Sequence, residues 1–307
     1  MKDERAKLKV WLDGRYLGYN EAKVPILTHS LQYGSGIFEG IRAYETDKGA
    51  AIFRLDEHVK RLINSMKIYS MKIPYSEAQI RKAIIGTVKI NKLSSCYIRP
   101  FAFINDDRIG LSAYGKKVSL YIAAVPFGKY FAGAAKGIRC KIASWDRINS
   151  NILPVEAKAS GNYLNSVITN TEARMAGFDE AILLSYDGYV AEGPGENIFI
   201  VKDNKLLTPS DSSDILLGVT RDSVIKLAEE IGIEVAETLL HKEELYTADE
   251  VFFAGTAAEL TPIINIDGIV IGKGRIGPIT KVLSQEYDDV VHGKKEEFAD
   301  WLTYVKF

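Results

Sequence analysis

The chain has 307 residues, 47% hydrophobic and 26% charged, with a net charge of −1. That is enough for two domains with cores of their own, with no basic patch for nucleic acid and no apolar run long enough to span a membrane. Two cysteines rule out a disulfide scaffold and make the cytoplasm the simplest location, and the four histidines (His29, His58, His241, His292) show no metal-ligand spacing.

The start, M-K-D-E-R-A-K, is charged and lacks the apolar segment of a secretion signal. V-W-L-D-G-R-Y-L over residues 10–17 reads as a hairpin turning at Asp13-Gly14. The stretch L-Q-Y-G-S-G-I-F-E-G-I-R-A-Y carries Gly34, Gly36 and Gly40 among aromatics, which predicts close backbone approach or positive φ. Its glycine spacing is not that of a dinucleotide loop. From Gly40 onward it alternates like a strand. After a strand at 51–53, Leu55, Val59, Leu62, Ile63 and Met66 mark one face of a helix, with Lys60 and Arg61 off that stripe. A second helix starts at Ser76, with Gln79 completing a capping box. The strand S-S-C-Y-I-R-P-F-A-F places Tyr97 and Arg99 on one face and is expected to break at Pro100. Arg99 needs an anion if buried, either a bound carboxylate or an internal ion pair. Residues 105–110 read as a loop and 118–125 as a strand. P-F-G-K-Y-F-A-G-A-A-K-G then breaks the regular structure, which divides the chain into an N-terminal domain (1–125), a loop (126–136) and a C-terminal domain (137–307).

Strand character resumes over 137–144. In P-V-E-A-K-A-S-G-N-Y-L-N-S-V, Lys158 has Ala157, Ala159, Ser160 and Gly161 for neighbours and stands before a helix. Leu164, Val167, Ile168 and Thr171 recur there at spacings of three and four, and the helix ends near Gly177. A lysine in such a place either attacks carbonyls as a desolvated amine or lays its stem over an apolar surface. Strands follow around Asp187-Gly188 and a bend carrying Glu192, Gly193, Gly195, Glu196 and Asn197. Its two carboxylates serve an acid or a nitrogen partner, or simply a charged surface turn. Gly218, Val219 and Thr220 open a helix closed by Gly232, with Thr220 expected as the N-cap; such a start suits phosphate, although most caps hold nothing. The strand E-V-F-F-A-G leads into T-A-A-E-L-T-P, a hairpin turns at Asp267-Gly268, and a last helix begins near Pro278.

A Schiff-base lysine, a carboxylate for a ring nitrogen and an anion cup are what pyridoxal 5'-phosphate requires, and Lys158, Glu192 and the 218–220 helix start can supply them. The motifs H-S-L-Q-Y-G-S-G-I-F-E-G-I-R-A-Y, A-K-A-S-G-N-Y-L-N-S, E-G-P-G-E-N-I-F, G-V-T-R and F-F-A-G-T-A-A-E-L-T-P, in this order, resemble those of the branched-chain-amino-acid aminotransferases, fold-type IV pyridoxal-phosphate enzymes. The resemblance implies an α/β fold of the α+β type. It would have a smaller N-terminal α/β domain, a larger C-terminal domain with a mainly antiparallel, barrel-like sheet, and the cofactor in the interdomain cleft.

It implies further that Lys158 is the Schiff-base lysine and proton shuttle, that Glu192 partners the pyridine nitrogen, and that Tyr163 bonds the ring oxygen. Arg61, Gly218, Val219, Thr220 and Thr256 would hold phosphate, with Glu196 and Asn197 in support. Phe38, Gly40, Arg42, Tyr97, Arg99, Tyr130, Thr256 and Ala257 would meet the substrate. The resemblance also implies a homodimer as the minimal unit, leaving room for a hexamer of dimers. In it Tyr33 of the partner and the loop near Ile109 would reach across. Phe127 stands where relatives often carry tryptophan. The implied reaction exchanges the amino group between L-leucine, L-isoleucine or L-valine and 2-oxoglutarate, giving a branched-chain 2-oxo acid and L-glutamate. A D-amino-acid or (R)-amine aminotransferase, an aminodeoxychorismate-type lyase, and a non-catalytic α/β protein are the rival readings.

Overall fold

The computed structural model describes residues 5–128, 130–131 and 133–307, so Met1 to Glu4 at the charged start lie outside the described residues. The chain forms two compact units. The first comprises residues 1–128, the short segment 157–161 and the C-terminal 290–307; the second comprises 129–156 and 162–289.

The first unit opens with β1 (Lys9–Leu12) and β2 (Arg15–Gly18), joined at Asp13-Gly14, where both residues have positive φ (45° and 89°). Helix α1 (His29–Tyr33) and strands β3 (Gly36–Phe38), β4 (Ile41–Thr46) and β5 (Gly49–Phe53) follow. Next come helices α2 (Leu55–Ile68) and α3 (Glu77–Ile90), and strands β6 (Cys96–Ile104) and β7 (Val118–Val125). The eight-stranded sheet runs from the C-terminal strand Leu302–Val305 through β5, β4, β6, β7 and β1 to β2, with β3 also on β6.

One face of this sheet is apolar because alternate residues of β6 and β7 (Ile98, Ala102, Leu120, Ile122) point to a single side. Leu55, Val59, Leu62 and Met66 of α2, and Ile80, Ile84 and Val88 of α3, complete that core. Each such side chain contributes roughly 1.5–3 kcal/mol when fully buried. The four from α2 therefore outweigh the cost of about 1–3 kcal/mol for starting the helix at Arg54, a non-glycine residue at φ 50°. The Arg54 guanidinium lies over Trp301, 4.5 Å from the ring centroid. Ser76 and Gln79 form the expected capping box.

Pro100 does not break its strand: β6 runs through it, pairing Pro100 with Ile122. The reason is local. The Pro100 carbonyl accepts from Glu39 N, so the proline nitrogen faces the same side, at the gap between β3 and β4 where no ladder donor is required.

The second unit contains β8 (Ile138–Ile142), α4 (Tyr163–Met175), β9 (Glu180–Leu184), β10 (Val190–Glu192), β11 (Asn197–Lys202) and β12 (Lys205–Pro209). It continues with α5 (Val219–Glu230), β13 (Val235–Thr238), α6 (Lys242–Thr247), β14 (Glu250–Gly255), β15 (Glu259–Ile266), β16 (Ile269–Val270) and most of α7 (Pro278–Val291). Strands β10, β9, β8, β15, β14 and β11 pair in sequence, and β10 pairs back onto β11, closing a six-stranded barrel. The pairings of β8 with β9 and with β15 are parallel; the rest of the ring is antiparallel. Ile138, Ile182, Val190, Ile198, Val251, Phe253 and Ile263 belong to one buried cluster, while Phe199 and Phe252, a cross-strand pair, stack with centroids 5.1 Å apart.

Helix α4 forms where the periodicity places it, with its apolar stripe turned outward. Leu164, Val167 and Ile168 are 68%, 58% and 43% exposed, and the residues α4 buries are Ser166, Thr169 and Ala173. Periodicity located the helix, but small residues face the sheet because they permit close approach. Among the described residues, no helix is long and apolar enough to cross a membrane, and no His/Cys/Asp/Glu group could hold a metal.

Candidate active site

In the first unit the segment 157–161 adds to the edge of β3. Phe38 N donates to Lys158 O (3.0 Å), Lys158 N donates to Ser65 Oγ (3.1 Å), and Ile37 bridges to Ala159. Ser160 Oγ donates to Gly34 O (2.7 Å). The backbone of Lys158 is therefore held from both sides, and Nζ lies 5.4 Å from the centroid of the Phe38 ring. Burial, reinforced by the Arg61 cation, pulls the amine pKa down from 10.5 to about 8, against the opposing pull of Glu39.

Around this amine the first unit brings together Phe38, Glu39, Arg61, Tyr97 and Arg99. A side chain at Gly40 would overlap the Tyr97 hydroxyl, so close approach, not positive φ, explains this glycine. The Arg99 guanidinium lies 4.5 Å from the Phe38 ring centroid, and Nη2 donates to the Tyr97 hydroxyl (2.9 Å). Its buried Nε has no hydrogen-bond partner, and no carboxylate among the described residues pairs with it. Arg42 lies over Tyr44 and Phe127, at 4.7 and 5.5 Å, and Phe127 packs 5.0 Å from Tyr97. Tyr33 ends α1, 43% exposed, and Ile109 is 85% exposed.

The second unit builds a different set where its barrel closes. Glu192 and Glu196 are 6% and 5% exposed, so their bend is not a charged surface turn. Glu192 pairs with Asn197, and Gly193 N donates to Glu196 O (2.7 Å), forming the tight turn between them. Glu192 Oε2 accepts from Asn197 Nδ2 and from Leu216 N, both at 3.1 Å. Arg147 Nε lies 2.9 Å from Oε1, off the line of a hydrogen bond, so this contact is chiefly one of charge. Asn197 Nδ2 also donates to Leu216 O (2.8 Å), tying the carboxylate to the approach of α5.

Gly218, not Thr220, is the N-cap of α5; Val219 and Thr220 form its buried first turn. A side chain at Gly218 would collide with Asn197 Oδ1. Tyr163 is the half-buried first residue of α4, and Tyr130, half-exposed, packs on Phe131 (4.7 Å). Thr256 and Ala257 lie in the turn between β14 and β15.

These donor sets fit pyridoxal phosphate: an amine of low pKa beside cations in one unit, and in the other a carboxylate fixed by N–H donors beside a helix start whose glycine cannot carry a side chain. Arg147 and Glu39 were missed in the sequence. Arg147 lies in a segment without periodicity, whereas Glu39 sits in the stretch G-S-G-I-F-E-G, between Gly36 and Gly40, where a charged residue in an apolar, glycine-rich run is itself a signal.

Residues 36–266 match the family model for amino-transferase class IV. The branched-chain-amino-acid aminotransferase of Escherichia coli strain K12 is 44% identical over 96% of this chain and 97% of its own. The crystal structure of the branched-chain aminotransferase of Thermoproteus uzoniensis with norvaline superposes with a TM-score of 0.94 at 47% identity, covering 97% of this chain and 99% of the other. The branched-chain amino acid aminotransferase of Thermobaculum terrenum, in its PLP-bound holo-form, matches with a TM-score of 0.93 at 35% identity, covering 99% and 100%.

Proposed function

The chain belongs to the class IV amino-transferase family, and on that premise we propose that it exchanges the amino group of L-leucine, L-isoleucine or L-valine with 2-oxoglutarate by a ping-pong mechanism. The products are the branched-chain 2-oxo acid and L-glutamate. Its cofactor is pyridoxal 5'-phosphate. When bound, the cofactor supplies an aldehyde that condenses with amines and a ring that draws electrons from the substrate α-carbon.

The observation that carries the reading is Lys158. With a pKa of about 8, about one amine in ten is neutral at pH 7, against about one in three thousand for a lysine at 10.5. Lys158 Nζ both holds the cofactor and, once released by substrate, moves the α-proton. Glu192, kept in place by Asn197, Leu216 N and Arg147, receives the ring nitrogen. Tyr163 bonds the ring oxygen, Arg61 and the 218–220 helix start with Thr256 hold phosphate, and Glu196 supports the turn.

On the substrate side, Phe38 and Tyr97 of the first unit offer apolar surface to the branched side chain, with Gly40 and Arg42 in support, and the second unit is assigned Tyr130, Thr256 and Ala257 as its substrate residues. Arg99, with its buried unpartnered Nε, receives the second carboxylate of 2-oxoglutarate. An apolar wall discriminates by only about 1–3 kcal/mol per methylene, so related amino acids also react.

The test is the visible spectrum of the purified protein, titrated with L-leucine and then with 2-oxoglutarate. Leucine should bleach the yellow band and 2-oxoglutarate restore it. In Arg99→Met the leucine step should persist while the 2-oxoglutarate step weakens, on the order of 100-fold for a lost charge-assisted pair. Conversion by D-alanine or (R)-1-phenylethylamine, with none by L-leucine, would move the chain to a rival activity of the same fold.

A homodimer is part of the proposal. In the first unit a groove of about 510 Å³ is lined by Val24, Leu31, Arg99, Phe101, Phe103 and Tyr121, and Ile109 and Tyr114 stand 85% and 97% exposed. Such apolar exposure suits a partner that brings its own Tyr33 and Ile109 loop. A monomeric mass by light scattering would exclude it. Both cysteines are free and buried, as suits a reducing compartment such as the cytoplasm.

A further inference from the structure

Glu39 is fully buried in the gap between β3 and β4 and accepts from four donors. Arg61 Nε reaches Oε1 at 2.6 Å, while Arg61 Nη2, His58 Nδ1 and Gly40 N reach Oε2 at 2.9, 2.8 and 3.3 Å. Burial alone would raise its pKa, but Arg61 and His58 outweigh that and hold the carboxyl well below its ordinary value. His58 is itself pulled down by burial against the pull of Glu39, and its Nδ1 donates to the carboxylate.

A buried ion pair of this kind contributes little net stability, because desolvation consumes most of the attraction. What it does provide is direction. A guanidinium has five N–H donors, and a carboxylate that takes Nε and Nη2 together fixes the plane in which the others lie. The same carboxylate lies among cations: Arg61 and Lys158 both act on its surroundings. It is joined to the Lys158 segment through β3, whose Phe38 N bonds Lys158 O.

We propose that Glu39 is a positioning residue for cofactor phosphate: it locks the Arg61 guanidinium in the plane that meets the phosphate, so that affinity is set by a group touching neither cofactor nor substrate. The inference rests on the assignment of phosphate to Arg61. It does not require Glu39 to move a proton.

The test uses the full chain stripped of cofactor and titrated with pyridoxal phosphate, and separately with pyridoxal, the same ring without phosphate. Glu39→Gln keeps the size of the side chain and removes its charge. It should weaken pyridoxal phosphate binding about tenfold or more, the scale of a charge-assisted pair, and leave pyridoxal affinity nearly unchanged. In an Arg61→Ala background the same substitution should add nothing, since the group it orients is gone.

Equal losses for both ligands, or additive losses in the double variant, would reduce Glu39 to a packing role and overturn the proposal. Wild-type affinity in Glu39→Gln beside a weakened Arg61→Ala would overturn the positioning role alone. Wild-type affinity in Arg61→Ala would remove the phosphate assignment and this inference with it. If Glu39→Gln folds poorly by circular dichroism, Glu39→Asp takes its place. That variant keeps the charge but sits one methylene short, so the phosphate-specific loss should persist; its absence overturns the proposal.

Discussion

Lys158→Ala is expected to yield a folded, colourless protein whose turnover falls roughly 10⁴-fold or more. The proton transfer assigned to this amine is worth about 10²–10⁴-fold by itself, and the covalent hold on the cofactor is lost as well. Folding should survive because the contacts that pin residue 158 are made by its backbone, to Phe38 and Ser65. Removing a desolvated amine also relieves a cost. A small added amine should restore part of the turnover, whereas a variant that stays yellow and active ends the assignment.

The pH behaviour follows from the same group. In the cofactor-free chain, reductive methylation of Lys158 should rise with a midpoint of about 8, against 10.5 for an ordinary lysine. Between those values the unfolded chain keeps a proton that the folded one has shed. This group therefore adds stability as pH rises through the window, and Lys158→Ala should flatten that slope.

Glu192→Gln should keep the cofactor bound but slow proton abstraction by about 10²–10³-fold, the scale on which removing a fixed charge partner alters a developing charge. The amide can still accept from Asn197 Nδ2 and Leu216 N, but it turns an NH₂ group toward Arg147, whose buried Nε stands 2.9 Å from the present oxygen. An arginine left without its counter-charge costs about 3–5 kcal/mol, so the melting temperature should also drop. Adding Arg147→Met should recover stability without recovering rate. Recovery of both would show that Glu192 acts only in structure, and normal turnover in Glu192→Gln would refute its assignment outright.

Local chemistry was the most legible part of this chain. Asp13-Gly14 and Asp267-Gly268 announced hairpins because few other pairs adopt that turn, and Ser76 with Gln79 announced a helix start because both side chains have only one use there. Lys158 could be singled out because its neighbours are small, whereas Glu192 is told apart from Glu196 by the family resemblance alone. Three features could not be read. The tolerance of β6 for Pro100 depends on which neighbour its nitrogen faces, and that is set by pairing distant in sequence. The outward apolar stripe of α4 obeys the same period as an inward one. Arg147 and Glu39 are single charged residues, and their meaning comes from partners 45 and 22 positions away (192 − 147 and 61 − 39).

The rung between Glu192 and Asn197 is one residue pair, whereas β14 and β15 share five. A hoop fastened by one clasp springs open at that clasp first. Here the clasp also carries Glu192, the carboxylate proposed to meet the ring nitrogen, so a thermal fluctuation large enough to part the strands is expected to disarm the enzyme early. Evolution or engineering that seeks a more heat-tolerant catalyst from this chain would gain little by enlarging hydrophobic volume elsewhere. The few residues from 192 to 197 are the place where reinforcement is expected to serve durability and the proposed chemistry together.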